Sequence, residues 1–427
     1  MAHTTPRGQA QGYPISAIAA VYLAALLQGV ALVSIPASSS VLKGAVGLTD
    51  AQYGAIFLPQ VALAVVGALG GGALARVLGL RTLLVVSLVA SGLSAVLLAL
   101  TAVLPHWGYP IALLATACLG AGFGASGAPL NTYAPMFFPQ HRDAAVVALH
   151  SVIGVGLALG PLAAGGALGL GLWIAFPMGL AVVLGLLTVG SLVARLPRQH
   201  TADQLPAVPA PDPDATARIA RARPSASAAF WLFAIIAILY AFAEGTFSNW
   251  AVIYLEEDRG LSASLSNLAL SVFWGALVAG RLLISAVVVR VNAAAIWLSL
   301  PVLMIGAFLL LPMVDSAATG IATFALAGAA CSAFFPLTIS LISKRFPEHV
   351  AWVSSVMIAA LMVGVGLGTF VIGPLREWLA LERLYLVSAA YPLAVLVIGL
   401  VVVALSRRPP ESTTPDPQDR QPRREHA

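Results

Sequence analysis

Twelve apolar segments of about twenty residues or more follow one another along this chain, and that succession leaves it one kind of fold. Hydrocarbon offers no partner to a peptide N–H or C=O, so each segment must satisfy its own backbone as a helix. The segments run from Ile15 to Val41, Tyr53 to Leu78, Thr82 to Val103, Ile111 to Phe137, Ala145 to Leu168, Leu172 to Val193, Trp231 to Leu255, Ala263 to Val289, Ala293 to Met313, Ala318 to Ile342, Ala351 to Leu375 and Leu381 to Leu405. An all-α membrane protein of twelve transmembrane helices is therefore expected. Composition agrees: the 427 residues are 59% apolar and 9% charged with mean hydropathy +0.94, where a soluble globular domain is about 25% charged.

The net charge of +5 does not point to nucleic acid, because the basic residues are scattered at segment ends rather than gathered on a face. They report topology instead. With the N-terminus inside, 17 of the 22 basic residues fall in inner segments, and only Lys43, Arg259, Arg376 and Arg383 in outer ones. The positive-inside bias thus predicts a multi-pass protein of the plasma membrane, in a bacterium the inner membrane, with both termini cytoplasmic. The apolar run after Arg7 is too long for a cleaved signal and is expected to stay as the first span. Cys118 and Cys331 lie inside apolar segments and read as small apolar fillers, since a disulfide framework or zinc site needs more cysteines at defined spacing. No metal and no cofactor is expected.

Between the sixth and seventh spans the composition changes to Pro, Ala, Asp and Arg, which cannot bury a core. The expected organisation is a cytoplasmic tail at 1–14, a six-helix half at 15–195, a linker at 196–228, a second half at 229–407 and a tail at 408–427. The halves resemble each other. Phe138-Pro139-Gln140-His141 recurs as Phe346-Pro347-Glu348-His349, a shift of 208, and Gly154 to Leu157 recurs as Gly364 to Leu367, a shift of 210. Parallel repeats of this kind place a binding site at mid-membrane between the halves.

Formal charges stand where hydrocarbon should be in two neighbouring spans. Glu244 lies near the middle of the seventh and Arg281 near the middle of the eighth; each costs about 2.5 to 3.5 kcal/mol to insert, so each should face protein or a wet cavity. Tyr240, Glu244 and Ser248 fall on one line of the seventh helix. Asn267, Ser271, Trp274, Arg281 and Ser285 fall on one stripe of the eighth.

At this point the chain resembles the major facilitator superfamily, and more loosely its fucose permease-like branch, over nearly all of its length outside linker and tails. LARVLGLRT after the second span is similar to the loop signature G-x-L-x-D-R-x-G-R-R/K, with Gly72, Leu74, Gly79 and Arg81 in place. Arg76 and Val77 stand where the signature has Asp and Arg, so the gate contact of that carboxylate is not carried over. The run from Ala145 to Pro161, the Tyr240, Glu244, Trp250, Tyr254 pattern with Phe273-Trp274-Gly275 and Gly280-Arg281, and AGAACSAFFPLTISL are similar to the fifth, seventh, eighth and tenth spans of that branch. Its acidic residues in the first and fourth spans are replaced by Gln28 and Asn131. The resemblance implies a transporter of two rocking six-helix halves, not an enzyme.

Candidate roles follow. Glu244 is the sole carboxylate inside a span away from its ends, and a carboxylate whose surroundings alternate between apolar and cationic can load and release a proton. Its plainer reading is a permanent ion pair with Arg281. Arg281 presents a fork of donors for a solute or counter-ion, or snorkels to the interface. His150 is a proton relay or a satisfied interfacial histidine. Gln28, Asn131, Tyr240, Asn249, Trp250, Trp274, Arg281 and Phe335 are candidate solute-binding residues, against helix packing and anchoring. Gly72, Arg76, Gly79 and Arg81 form a candidate gating loop. With one acid and one base near the centre, a small neutral or zwitterionic polar solute such as a sugar is expected, moved by proton symport through a monomer. Proton-driven efflux of amphipathic compounds is the alternative, and an intramembrane enzyme or a passive channel lacks its constellation.

Overall fold

The computed structural model describes residues 13–194, 196–197 and 224–406, so most of the expected linker and both tails lie outside the described residues. Among these residues there are helices and no strands, and twelve helices are long and apolar enough to cross a membrane. We number them α1 (Ile15–Leu32), α2 (Asp50–Leu78), α3 (Leu80–Val103), α4 (Gly108–Phe137), α5 (Arg142–Gly169), α6 (Ala175–Val193), α7 (Ala228–Ile253), α8 (Ala263–Val287), α9 (Ala293–Leu310), α10 (Ala317–Cys331), α11 (Val350–Leu375) and α12 (Ala390–Ser406). The face at which α1 begins is called proximal and the opposite one distal; odd-numbered helices run from proximal to distal.

Four of the expected spans are interrupted, the second and twelfth only by the single residues Ile56 and Ala389. The first was expected to continue to Val41, but it breaks at Val33 and goes on as the short helices Ser34–Ala37 and Ser39–Gly44. Pro36 has no N–H to give the Leu32 carbonyl, and the Ser34 hydroxyl bonds back to Ala31 C=O at 2.7 Å. The tenth breaks after Cys331 and resumes as Phe334–Arg345. Here Pro336 deprives the Ser332 carbonyl of its helical donor, a freedom the site uses.

Pseudo-symmetry is visible in how glycines let helices touch. A Cβ on Gly156 would run into α1 at Leu26 O and Gly29, and one on Gly364 into α7 at Ile238 and Ala241. Gly160 meets Val30 of α1 and Val33 just beyond it as Gly368 meets Phe242 of α7. Gly120 and Gly328 approach Gln60 of α2 and Phe273 of α8 in the same way. These pairs are all 208 apart, the shift of the Phe-Pro repeat. That repeat itself adopts matching backbone: Phe138 (φ −126, ψ 67) and Phe346 (φ −127, ψ 63) end their helices alike. The second sequence match, at 210, is therefore corrected. Gly156, not Gly154, is the counterpart of Gly364, and a slip of two residues would turn the helix more than half a turn.

The same bookkeeping relates α1 to α7 by 212 residues and α2 to α8 by 213. Glu244 then corresponds to Leu32, Arg281 to Ala68, His150 to Ile358 and Asn131 to Ile339. Polar residues thus occupy one seam between the halves, along α5 and α8. Its counterpart along α2 and α11 is uncharged, a gap lined by Val65, Ala68, Leu69, Ser355, Ile358 and Met362.

The halves close on each other toward the distal face. Tyr53 donates to Asn249 C=O at 2.8 Å and stacks edge-on with Trp250. Gly54 and Gly373 let α2 and α11 meet backbone to backbone, and Ser264 donates to Gly165 C=O at 2.8 Å between α8 and α5.

Candidate functional site

Tyr240 and Glu244 lie one turn apart on α7. The Tyr240 ring is buried, stacks on Phe334 at 5.0 Å, and its hydroxyl donates to Cys331 C=O at 2.8 Å. That carbonyl is the last of the upper α10 segment. One residue on, the Ser332 carbonyl freed by Pro336 accepts from Arg281 Nε at 3.0 Å. Gly280 makes this reach possible, because a Cβ there would lie 2.8 Å from the Ser332 side chain. The guanidinium is therefore fixed through Nε, leaving both Nη groups for something else.

Glu244 is half-buried and makes no ion pair with Arg281 within 4.0 Å, although it lies within electrostatic reach of Arg281, Tyr240 and Cys331. The permanent-pair reading of these two residues thus does not describe this conformation. Across the seam, His150 of α5 is exposed, within electrostatic reach of Arg281, and its Nε2 lies 3.1 Å from Asn131 Oδ1. Asn131 Nδ2 donates to Gly127 C=O at 2.9 Å, which assigns Oδ1 as acceptor and His150 Nε2 as donor. Phe335 is half-buried beside Tyr240, the rings 6.4 Å apart. Glu244, Arg281, His150, Asn131, Tyr240 and Phe335 are thus brought together.

Other candidates are placed elsewhere. Gln28 is buried against α3, accepting from Ser91 at 3.3 Å inside its own half, so it packs rather than faces the seam. Asn249 and Trp250 are buried in the distal closure, their donors taken by Thr369 Oγ1 at 2.7 Å and Thr369 C=O at 3.1 Å. Trp274 is half-buried with its Nε1 unpartnered; Asn267 Oδ1 and Ser271 Oγ on the same stripe are also unpartnered. The stripe therefore carries open polar atoms from the distal end down to Arg281.

The loop expected to gate does something different. Gly79, at φ 81, is the single residue between α2 and α3. Arg81 donates to the carbonyls of Ser191, at 3.3 Å, and Leu192, where a cation favourably meets the C-terminal end of α6. Arg76 is exposed without an ion pair among the described residues, and Gly72 faces open space. The loop thus ties α3 to α6 within one half.

Sequence reasoning missed a cluster of charges at the distal ends. Lys43 lies 2.6 Å from both Asp50 and Glu257. Arg376 lies 3.0 Å from Asp50, 2.6 Å from Glu257 and 3.3 Å from Asp258. Burial would lower the Arg376 pKa, but Asp258, Asp50 and Glu257 outweigh it and hold it above its ordinary value. Lys43 and Asp50 belong to the first half, the others to the second, so the network stitches the halves together. The signal was present in the turn from Glu256 to Arg259, but basic residues there were weighed for topology alone.

A family model described as Major Facilitator Superfamily matches residues 18–351. The chain belongs to the Major Facilitator Superfamily. Membership places it among membrane transporters rather than enzymes. Solved structures of the same fold include a point mutant of the nucleoside transporter NupG, at TM-score 0.72 and 15% identity, covering 90% of this chain and 98% of that one. A bacterial homolog of the human lysosomal transporter Spinster, inward-facing and occupied, matches at 0.68 and 16%, covering 93% and 98%. A D-xylose-proton symporter matches at 0.68 and 16%, covering 91% and 97%. At such identities the likeness is one of fold. The comparison with curated proteins gives no match.

Proposed function

We propose that this superfamily member is a secondary active transporter of a small polar organic solute, coupled to protons and working by alternating access between its halves. The observation that carries the reading is an acid and a base, Glu244 and Arg281, held apart on one wall of the seam with His150 and Asn131 on the other. The distal network and the Tyr53–Asn249 bond close one end of that seam. With the proximal face cytoplasmic, as the basic residues suggest, the closed end is the one turned away from the cell interior, in the plasma membrane. A nucleoside transporter and a xylose-proton symporter among its structural neighbours agree with a polar solute.

Glu244 is the proton site in this reading: it sits near mid-membrane and shares its surroundings with a cation that a solute can also engage. Glu244→Gln in reconstituted vesicles should abolish accumulation driven by a pH gradient while leaving solute exchange. Unchanged accumulation removes Glu244 as the coupling residue. Efflux of amphipathic compounds is the second reading, favoured by Phe335 and by the apolar side chains of Val65, Leu69 and Met362 in the second seam. Accumulation inside inside-out vesicles on acidifying their lumen would select it.

A further inference from the structure

From the arrangement of charge in the seam we infer that the solute is a monocarboxylate, gripped by the two Nη groups of Arg281 and carried together with one proton on Glu244. This rests on the proton-site reading above and adds to it the class of solute. Arg281 is held at one of its three nitrogens. Its Nε is committed to the Ser332 carbonyl, no carboxylate among the described residues lies within ion-pair distance, and both Nη groups remain. A guanidinium anchored at one nitrogen presents the other two as a parallel fork, the geometry that a carboxylate fills bidentately.

Charge balance then fixes the stoichiometry. The titratable groups around Glu244 are few: Arg281 from α8, with Tyr240 on its own helix and Cys331 from α10, while His150 across the seam lies within reach of Arg281. Helix α11 offers no titratable side chain, and on α12 Tyr391 is turned against Phe242. With His150 neutral, the empty seam holds one negative and one positive charge and is neutral overall. A proton on Glu244 leaves a net charge of +1, which a low-dielectric site resists. A sugar or a zwitterion does nothing to cancel it. A monoanion does, so proton and monocarboxylate each favour the other's binding, and the loaded transporter is neutral again. The sequence expectation of a neutral solute considered only the empty state. The His150 ring adds recognition: its Nε2 donates to Asn131, so its Nδ1 accepts, suiting a solute hydroxyl.

The pseudo-symmetric seam supports this assignment by contrast. The positions equivalent to Arg281 and His150 are Ala68 and Ile358, in a gap whose lining carries no charge. Charge was not needed to keep two such helices side by side, so packing does not account for Arg281.

The test uses the purified full chain and a panel of lactate, gluconate, galacturonate and propionate, each paired with a neutral counterpart, lactamide and glucose among them. Melting temperature is measured at about pH 5.5 and about pH 7.5, because a bound solute stabilises the folded state while one coupled proton strengthens binding by up to about tenfold per pH unit. We expect at least one carboxylate, and not its neutral counterpart, to raise the melting temperature, more strongly at the lower pH. Glu244→Gln should bind that carboxylate equally at both pH values, since it mimics the protonated acid. Arg281→Gln should abolish the shift, and Arg281→Lys, which keeps charge without the fork, should weaken it at least tenfold while melting like the wild type. Uptake of the same carboxylate into vesicles should be indifferent to membrane potential. Silence of every carboxylate at the lower pH overturns the inference. If neutral sugars instead bind in an acid-strengthened manner, proton coupling survives and the solute class falls. Carboxylate binding that ignores both pH and Glu244→Gln refutes the pairing with the proton, and with it the coupling role of Glu244.

Discussion

Single residues decide where the chemistry sits. Helical period alone put Tyr240 with Glu244 and Trp274 with Arg281 on shared faces; the structure ties Tyr240 and Arg281 to the α10 break in their own half and brings Arg281 within electrostatic reach of His150 across the seam. Period names a face but not what lies opposite. Gln28 shows the limit: it sits on a helix that borders the seam, yet looks backward to Ser91, because a face of α1 also packs inside its own half. Asn249 and Trp250 were misplaced for a related reason, being one turn beyond Glu244 where the halves have already closed. Asn131 matters here chiefly as the group that orients His150. Replacing it with leucine should leave the fold intact and release the ring. Losing one hydrogen bond of about 0.5 to 1.5 kcal/mol should weaken solute binding about two- to tenfold, read as a higher half-saturation with little change in melting temperature. A melting temperature that falls while affinity holds would make the Asn131–His150 contact purely structural.

Elements carry the second level, and here proline and glycine speak more plainly than polarity. The Phe-Pro repeat was legible and its backbone is reproduced in both halves, but the Gly-Val-Gly-Leu match misled because glycine pairs recur by chance in small-residue helices. The break in α10 was hidden in an unbroken apolar run: hydropathy is blind to which carbonyl Pro336 sets free. Pro336→Ala would supply an N–H that competes with Arg281 for the Ser332 carbonyl. We expect a protein at least as stable, since an interior proline costs about 3 kcal/mol in a regular helix, but with impaired transport. Wild-type turnover in that variant would show the Arg281–Ser332 bond to be dispensable. Glycines separate in the same experiment. Gly156→Ala and Gly364→Ala drive a Cβ into backbone of α1 and α7 and should each cost about 1 to 3 kcal/mol, seen as lower melting temperatures. Gly179→Ala meets nothing within 4 Å and should be neutral or stabilising by up to about 1 kcal/mol.

At the scale of the whole molecule, the twelve helices and two halves followed from hydropathy and the linker, whereas the closure between halves did not, because it joins residues 196 to 326 apart. Lys43 and Arg376 are the cations that let Asp50, Glu257 and Asp258 converge across the distal ends. Without them three carboxylates from two halves would face one another, so the network does more than add attraction: it cancels a repulsion that would force the distal end apart. Individual exposed pairs contribute about 0.2 to 1 kcal/mol. Arg376 is about nine-tenths buried at its side chain, with 11% exposed, and shares three carboxylates, which places it above that range. A Lys43→Gln, Arg376→Gln double variant should therefore shift the population toward a distally open form. Spin labels at Ala45 and Trp378, one on each half and both exposed at the distal face, would report longer distances in the variant. In the wild type, raised ionic strength should produce a smaller change in the same direction, since partly buried pairs are screened less than exposed ones. An unchanged distance distribution in the double variant would show that Tyr53, Asn249 and the glycine contacts of α2 with α11 hold the distal end closed by packing alone.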